Sequence, residues 1–342
     1  MTDIVTEDTI TNWDQELREL TDSLAHLFTR PEPKKAFADY VSGLLADVPK
    51  KNSWGLYDYL GYRTPRPLEH LLDGAKWDVD ELRDFLPGYL AGHIGSDDAA
   101  LVFDDTQIPK KGDRSVGVAP QHYGMTGDVA NVQTVVMATY ASEHGHAYTD
   151  RELYVPEEPW GADPDRRRAA GMPEDWEFAT KPQLATRMLE RAVAAGKLPF
   201  RWVVADADYG RDPGLRRACH THSLPYVFEI PRNLPLLDAR GRPTRPDQIH
   251  RGLPAGVFER RSAGDGTKGP RTYDWAAVGE ATLPGQPPAA GFTHTLLVRK
   301  SIDSTTKDGR TGYDFAYFLV HARASTPPPD MIAGAGLRWK IE

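Results

Sequence analysis

Two aspartates follow short apolar runs: Asp105, one residue removed from Leu101-Val102-Phe103, and Asp206, directly after Trp202-Val203-Val204-Ala205. Each run reads as a buried strand, and in an open α/β sheet, sites form outside the carboxyl ends of the strands. Carboxylates brought together there repel, and each raises the other's pKa unless a cation lies between them. Hard oxygen ligands suit Mg²⁺ or Mn²⁺. Two such ions ~3.5–4 Å apart activate a water or hydroxyl and stabilise the leaving oxygen of a phosphodiester. An aspartate after a strand is also a common turn-former or helix cap, so spacing alone leaves both readings open.

The flanks add weight to the chemical reading. Asp105 is followed by Thr106, then by Pro109-Lys110-Lys111-Gly112 and Ser115-Val116-Gly117-Val118. Asp206 is followed by Ala207-Asp208-Tyr209-Gly210 and Arg211. Basic and small residues close behind a carboxylate can reach phosphates. A third piece is Arg338-Trp339-Lys340-Ile341-Glu342. Arg338 and Glu342 are four apart and share a helix face, either as a surface ion pair or as a phosphate contact beside a metal ligand.

The elements that must position these groups follow from periodicity and punctuation. Residues 1–98 read as short helices broken by Pro31, Pro33, Pro49, Pro65 and Pro67, with Trp13, Leu17, Leu20, Leu24 and Leu27 as an apolar stripe meant for a core. From residue 99 the pattern becomes strands at Ala99–Phe103, Val132–Tyr140 and Tyr148–Val155, a helix over Lys181–Ala195, and a strand at Trp202–Ala205. A helix over Pro213–Thr221 and a strand at Tyr226–Ile230 complete an α/β layer. Residues 233–310, rich in Gly, Pro, Arg and Thr, predict an all-β insertion, and Phe315–Ala322 a last apolar strand. The helix beginning near Asp330 has no closing cap and reads as cut in mid-helix.

Composition narrows the class. The chain has 342 residues and a formal charge of −8, with 19 acidic and 10 basic side chains in residues 1–98 but 30 and 31 in the rest. That balance argues against a pure nucleic-acid coat and leaves room for an enzyme that gathers carboxylates around metal. No apolar run approaches the ~20 residues of a membrane span, and the acidic N-terminus is no secretory signal. A single cysteine, Cys219, excludes an internal disulfide and a multi-thiolate zinc site. A soluble, cytoplasmic protein without membrane partners is the expectation.

In order along the chain, these pieces resemble the DDE transposases of bacterial insertion sequences, in the branch that includes the hairpin-forming cut-and-paste enzymes, and most of all the insertion-sequence 701 group. The resemblance is carried by Trp77-Asp78 with Leu82, Asp104-Asp105-Thr106, Pro109-Lys110-Lys111-Gly112, Tyr123-Gly124, Asn131-Val132-Gln133, Phe178-Ala179-Thr180-Lys181-Pro182, Ala205-Asp206-Ala207-Asp208-Tyr209-Gly210 and Arg338-Trp339-Lys340-Ile341-Glu342.

The resemblance implies an α/β fold with a ribonuclease-H-like core. An N-terminal helical region (1–98) able to bind DNA ends would precede the first part of the catalytic core (99–232). The β insertion (233–312) would come before the last strand and the start of the glutamate helix (313–342). It implies Asp105, Asp206 and Glu342 as catalytic residues holding two Mg²⁺ (or Mn²⁺) ions. Arg338 is implied as a phosphate contact followed by Trp339, with Lys110, Lys111 and Arg211 as further DNA candidates. The partners it implies are double-stranded DNA, both terminal inverted repeats and target, bound by a homodimer at the bacterial nucleoid. The activity it implies is cleavage at transposon ends followed by strand transfer. Ala335 departs from the tyrosine and Asp208 from the glycine of related enzymes, and a lysine expected seven residues past the glutamate lies beyond the last residue. The alternatives are a truncated, non-catalytic DNA-binding remnant and a metal-dependent nuclease without strand transfer.

Other signals are weaker. Arg166-Arg167-Arg168 and Arg260-Arg261 read as solvated faces or phosphate contacts. The stretch Gly264–Gly269 lacks phosphate-loop spacing and reads as a turn. Cys219-His220-Thr221-His222 cannot make a tetrahedral metal site without distant ligands.

Overall fold

A computed structural model of the chain describes residues 6–266, 269–279, 281–304 and 311–341. It divides into two compact units, Met1–Leu86 and Pro87–Glu342.

The first unit is helical: α1 (Glu7–Ser23), α2 (Pro31–Leu45), α3 (Ser53–Leu56), α4 (Arg66–Asp73) and the start of α5 (Val79–Ile94). Thr6 caps α1 and Asn52 caps α3 through side-chain oxygens, and Pro31 opens α2 where its missing N–H costs nothing. Leu24, Leu27, Phe28, Phe37, Leu56, Leu68 and Leu71 form its core. The apolar stripe of α1 is buried only at its end. Leu24 and Leu27 are covered, whereas Trp13 stays 56% exposed, because only the last turns of α1 reach the Phe28–Phe37 core. The boundary between units falls at Pro87, inside α5, where proline breaks the backbone ladder.

The second unit is mixed α/β around one large sheet. Its elements are β1 (Ala100–Pro109), β2 (Ala119–Tyr123), β3 (Asp128–Ser142), β4 (Gly145–Tyr154), α6 (Pro164–Ala169), α7 (Lys181–Ala195), β5 (Trp202–Ala205), α8 (Ala207–Gly210), α9 (Pro213–Thr221) and β6 (Tyr226–Ile230). There follow β7 (Leu236–Leu237), β8 (Pro243–Thr244), α10 (Pro246–Arg251), β9 (Glu259–Gly266), β10 (Gly269–Gly279), β11 (Phe292–Lys300), β12 (Phe315–Arg323) and α11 (Pro328–Leu337). Among the described residues the sheet runs β2-β3-β1-β5-β6-β12-β11-β10-β9, with β4 also on β3. β1, β3 and β4 form an antiparallel meander, and β5 and β6 continue parallel to β1 through crossovers that carry α7 and α9.

Alternation along β1 and β5 feeds two cores. Leu101, Phe103, Val203 and Ala205 pack with Leu184, Met188 and Leu189 of α7 and with Leu215 and Cys219 of α9. Ala100, Val102, Trp202 and Val204 pack on the other face with Met331, Ile332 and Ala335 of α11. Helix α7 begins in a capping box of Thr180 with Gln183 and ends at Gly196, whose φ of 59° suits glycine. The segment 233–312, expected to be an all-β insertion, also carries α10, and its strands β9–β11 join the same sheet through β12, which pairs antiparallel with β6. Burial explains this. Residues Leu296–Val298 and Ala316–Ala322 are covered on both faces, as in interior strands, and they spare β6 an open edge.

Candidate metal and nucleic-acid site

The register Phe103↔Ala205 between β1 and β5 is the last pair before both strands turn acidic. Asp104, midway along β1, therefore stands beside Asp206 just past the carboxyl end of β5, the two parallel strands running about 4.8 Å apart. By alternation both belong to the α11 face. Glu229 of β6, flanked by Phe228 on the α7 face, extends that row, and its Oε2 lies 3.2 Å from Arg338 Nη2 just past α11. Asp105 faces the other way. Lys181 Nζ, from the first turn of α7, donates to its Oδ2 at 2.8 Å, and the Tyr209 hydroxyl lies 3.5 Å from its Oδ1.

Local structure fixes the acids. Asp206 caps α8, accepting from the N–H groups of Asp208 and Tyr209 at 2.9 and 3.3 Å. Gly210 is required behind it: a Cβ there would lie 2.0 Å from the Glu229 carbonyl oxygen. Burial pushes Asp104 up to about 6. The Asp105 N–H and Arg338 oppose the rise, and the charges of Asp206 and Asp105 reinforce it. Burial also raises Asp206, with Asp208 adding to the rise while Tyr209 N–H, Asp208 N–H and Arg338 restrain it. Tyr209 is buried beside all three aspartates and stays a neutral phenol, able to donate.

The basic candidates divide. Lys110 and Lys111 sit in the loop after β1 with no ion pair among the described residues. That loop is held from four sides. Asn131 Nδ2 donates to Gly112 O, Arg166 Nη2 to Asp113 O, Gln133 Nε2 to Val116 O and Trp160 Nε1 to Val118 O. Of the arginine run, Arg166 thus pins the loop, and Arg167 donates to the carbonyls of Trp160 and Gly161. Arg211 is exposed and paired with Asp208 at 2.7 Å. Trp339 is only 6% exposed, in the α11 core with Arg271 and Arg299 over its ring. Arg338 pairs with Glu229, and Glu342, which shares its helix face in the sequence reading, lies outside the described residues.

Sequence reasoning assigned no role to Asp104, Glu229, Lys181 or Tyr209. Asp104 carried a signal, since period-2 alternation puts it and not Asp105 on the face of Val102 and Val204. Lys181, Tyr209 and Asp206 lay within motifs already singled out. Glu229 gave no signal beyond its place in an apolar run.

A family model described as DDE superfamily endonuclease matches residues 23–282. A probable transposase for insertion sequence element IS701 of Microchaete diplosiphon is 25% identical over 185 residues, 54% of this chain and 45% of that protein. The chain thus spans about half the length of the curated relative it matches. The solved Drosophila P element transposase strand transfer complex aligns with 68% of this chain and 55% of its own at 13% identity, with a TM-score of 0.20, too low to bear on the fold.

Proposed function

The chain belongs to the DDE superfamily endonuclease family, and on that premise we propose that it is a DNA transposase that cleaves transposon ends and transfers the freed strands to target DNA. One observation carries the reading: the Phe103↔Ala205 register, which brings Asp104 and Asp105 of β1 level with Asp206 at the end of β5. The run β4-β3-β1-β5-β6, an antiparallel meander followed by two parallel strands, supports a ribonuclease-H-like core.

The carboxylates gathered here fit a hard divalent cation: burial raises Asp104 and Asp206, and neighbouring carboxylates add to the rise. In our reading Asp105, Asp206 and Glu342 would hold two Mg²⁺ or Mn²⁺ ions. The Asp105 carboxylate, which here turns to Lys181 on the α7 face while Asp104 shares the α11 face with Asp206, would have to turn toward them. When bound, such ions activate water and stabilise a leaving oxygen. The side chains do the rest. Lys181 orients the Asp105 carboxylate, the α8 N–H groups fix Asp206, and burial raises the Asp104 carboxyl to about 6. Lys110, Lys111, Arg211 and Arg338 bind DNA phosphates, and each one removed lowers the salt dependence of binding. Trp339 contributes by placing Arg338 from within the core. Two copies act together on paired ends.

A Mn²⁺ titration beside Asp105→Asn and Asp206→Asn tests the site. Each variant is expected to lose more than the ~10–100-fold in affinity that an outer-shell change costs. Strand transfer of a 3′-hydroxyl end tests the reaction. Cleavage without joining marks a nuclease, and a folded chain that binds no Mn²⁺ marks a non-catalytic DNA-binding protein.

A further inference from the structure

The far end of the same sheet gathers a second cluster. His220 of α9, His294 of β11 and His321 of β12 each bring one ring nitrogen within 4.8 Å of the other two. The register His321↔Tyr226 puts them at the amino end of β6, opposite Asp206 and Glu229. The motif Cys219-His220-Thr221-His222 lacks distant ligands in sequence, and the fold supplies two. Its other members go elsewhere: His222 pairs with Glu190 at 2.6 Å, and Cys219 is a fully buried thiol whose pKa burial raises.

We propose that His220, His294 and His321 form a binding site for an imidazole-seeking transition-metal cation of the Zn²⁺ type, separate from the carboxylate site. Three observations support it. First, His220 Nε2 and His294 Nδ1 are buried with no hydrogen-bond partner among the described residues, and buried polar atoms are rarely left unmatched. Second, the outer bonds suit metal ligands. His321 Nδ1 donates to the Leu224 carbonyl at 3.2 Å, which fixes the proton there and leaves Nε2 a lone pair. A proton on His294 Nε2, shared with the Tyr226 hydroxyl at 3.2 Å, leaves Nδ1 bare. Such backbone and hydroxyl partners commonly orient ligating imidazoles. Third, His294 and His321 are 1% and 0% exposed, and burial holds them down at about 3 and about 4, so both rings are neutral at pH 7. His220, half-buried on α9, gives the way in.

The chemistry also selects the ion. The buried guanidinium of Arg216 faces the cluster and lowers the pKa of both His220 and His294. With that charge present and no carboxylate among the three ligands, Mg²⁺ or Ca²⁺ finds no anionic oxygen. Zn²⁺, which bonds neutral imidazole at about 2.0–2.1 Å, needs the nitrogens drawn to ~3.3 Å apart. His321 Nε2 must then release the Ala289 N–H that it accepts at 3.1 Å.

The test titrates the chelator-treated 342-residue chain with Zn²⁺, and separately with Co²⁺, in excess Mg²⁺. A single Zn²⁺ per chain is expected, with the strong visible absorption of tetrahedral Co²⁺. His220→Gln, at a half-exposed position, should weaken binding by at least ~tenfold, with circular dichroism confirming its fold. Asp206→Asn should leave Zn²⁺ binding unchanged. A folded wild-type chain that takes up no Zn²⁺ or Co²⁺ overturns the proposal and leaves a trapped water to satisfy the nitrogens. Full-strength binding in both His220→Gln and His294→Gln overturns it too; should His294→Gln not fold, His220→Gln decides.

Discussion

At the carboxyl ends of β5 and β6 and the adjoining middle of β1 the sheet presents Asp206, Glu229 and Asp104 in a row, while the other end of β6, with β11 and β12, presents Tyr226, His294 and His321. The carboxylate end keeps partial exposure and borrows cations: Lys181 for Asp105 and Arg338 for Glu229. The histidine end is more deeply buried, open only at His220, and its rings stack, His220 on His321 at 4.3 Å and Phe292 on His321 at 4.5 Å. One end stores unfavourable charge that a ligand can relieve. The other removes charge altogether and contributes packing. Ionisable groups at opposite ends of the same strands thus carry opposite signs in the stability of the fold.

The harshest test of this contrast is Gly210→Ala. A methyl group 2.0 Å from the Glu229 carbonyl must push α8 off β6, and a loss of about 3 kcal/mol is expected in urea unfolding. Little loss would mean that the carboxylate end is looser than the contact implies.

Asp104→Asn sharpens the sign. The folded carboxyl stands at about 6, above the ~3.9 of an unfolded aspartate, so the folded state holds more protons between those values. Its contribution is fully present below the unfolded value and lost as pH rises through about 6. The asparagine variant, without metal, should gain roughly 1–2 kcal/mol over the parent at neutral pH and show no gain near pH 4. An equal gain at both pH values would remove the charge argument. The mildest change is Tyr226→Phe, which deletes the hydroxyl beside His294 and should cost about 1 kcal/mol. Mn²⁺ affinity should not change. A drop in that affinity would show that the two ends are coupled.

Much of this was legible from local pattern. Leu101–Phe103, Trp202–Ala205 and Tyr226–Ile230 are apolar runs that only interior strands explain, and Asp105 and Asp206 announce themselves by following two of them. What stayed hidden depends on chain segments far apart in sequence. Lys181 meets Asp105, Arg338 meets Glu229, and His220 of α9 meets His294 of β11 and His321 of β12. The stretch 233–312 read as an insertion because its turns dominate its composition, and its tie to the sheet, β11 pairing with β12 and β12 with β6, is not visible in sequence. Trp339 was a DNA candidate by resemblance, as the residue after Arg338, and its ring lies in the core of α11.

The adjacent aspartates of β1 have one more consequence. Slipping the strand by a single residue would exchange Asp104 and Asp105, and each face would still receive a carboxylate. The acids themselves therefore cannot tell right pairing from wrong. Leu101 and Phe103 can, because the same slip would move them off the core they fill against α7 and α9. The fidelity of an electrostatic site is here guarded by hydrocarbon, and a mutation that blunts those two side chains would scramble the chemistry without touching a charge.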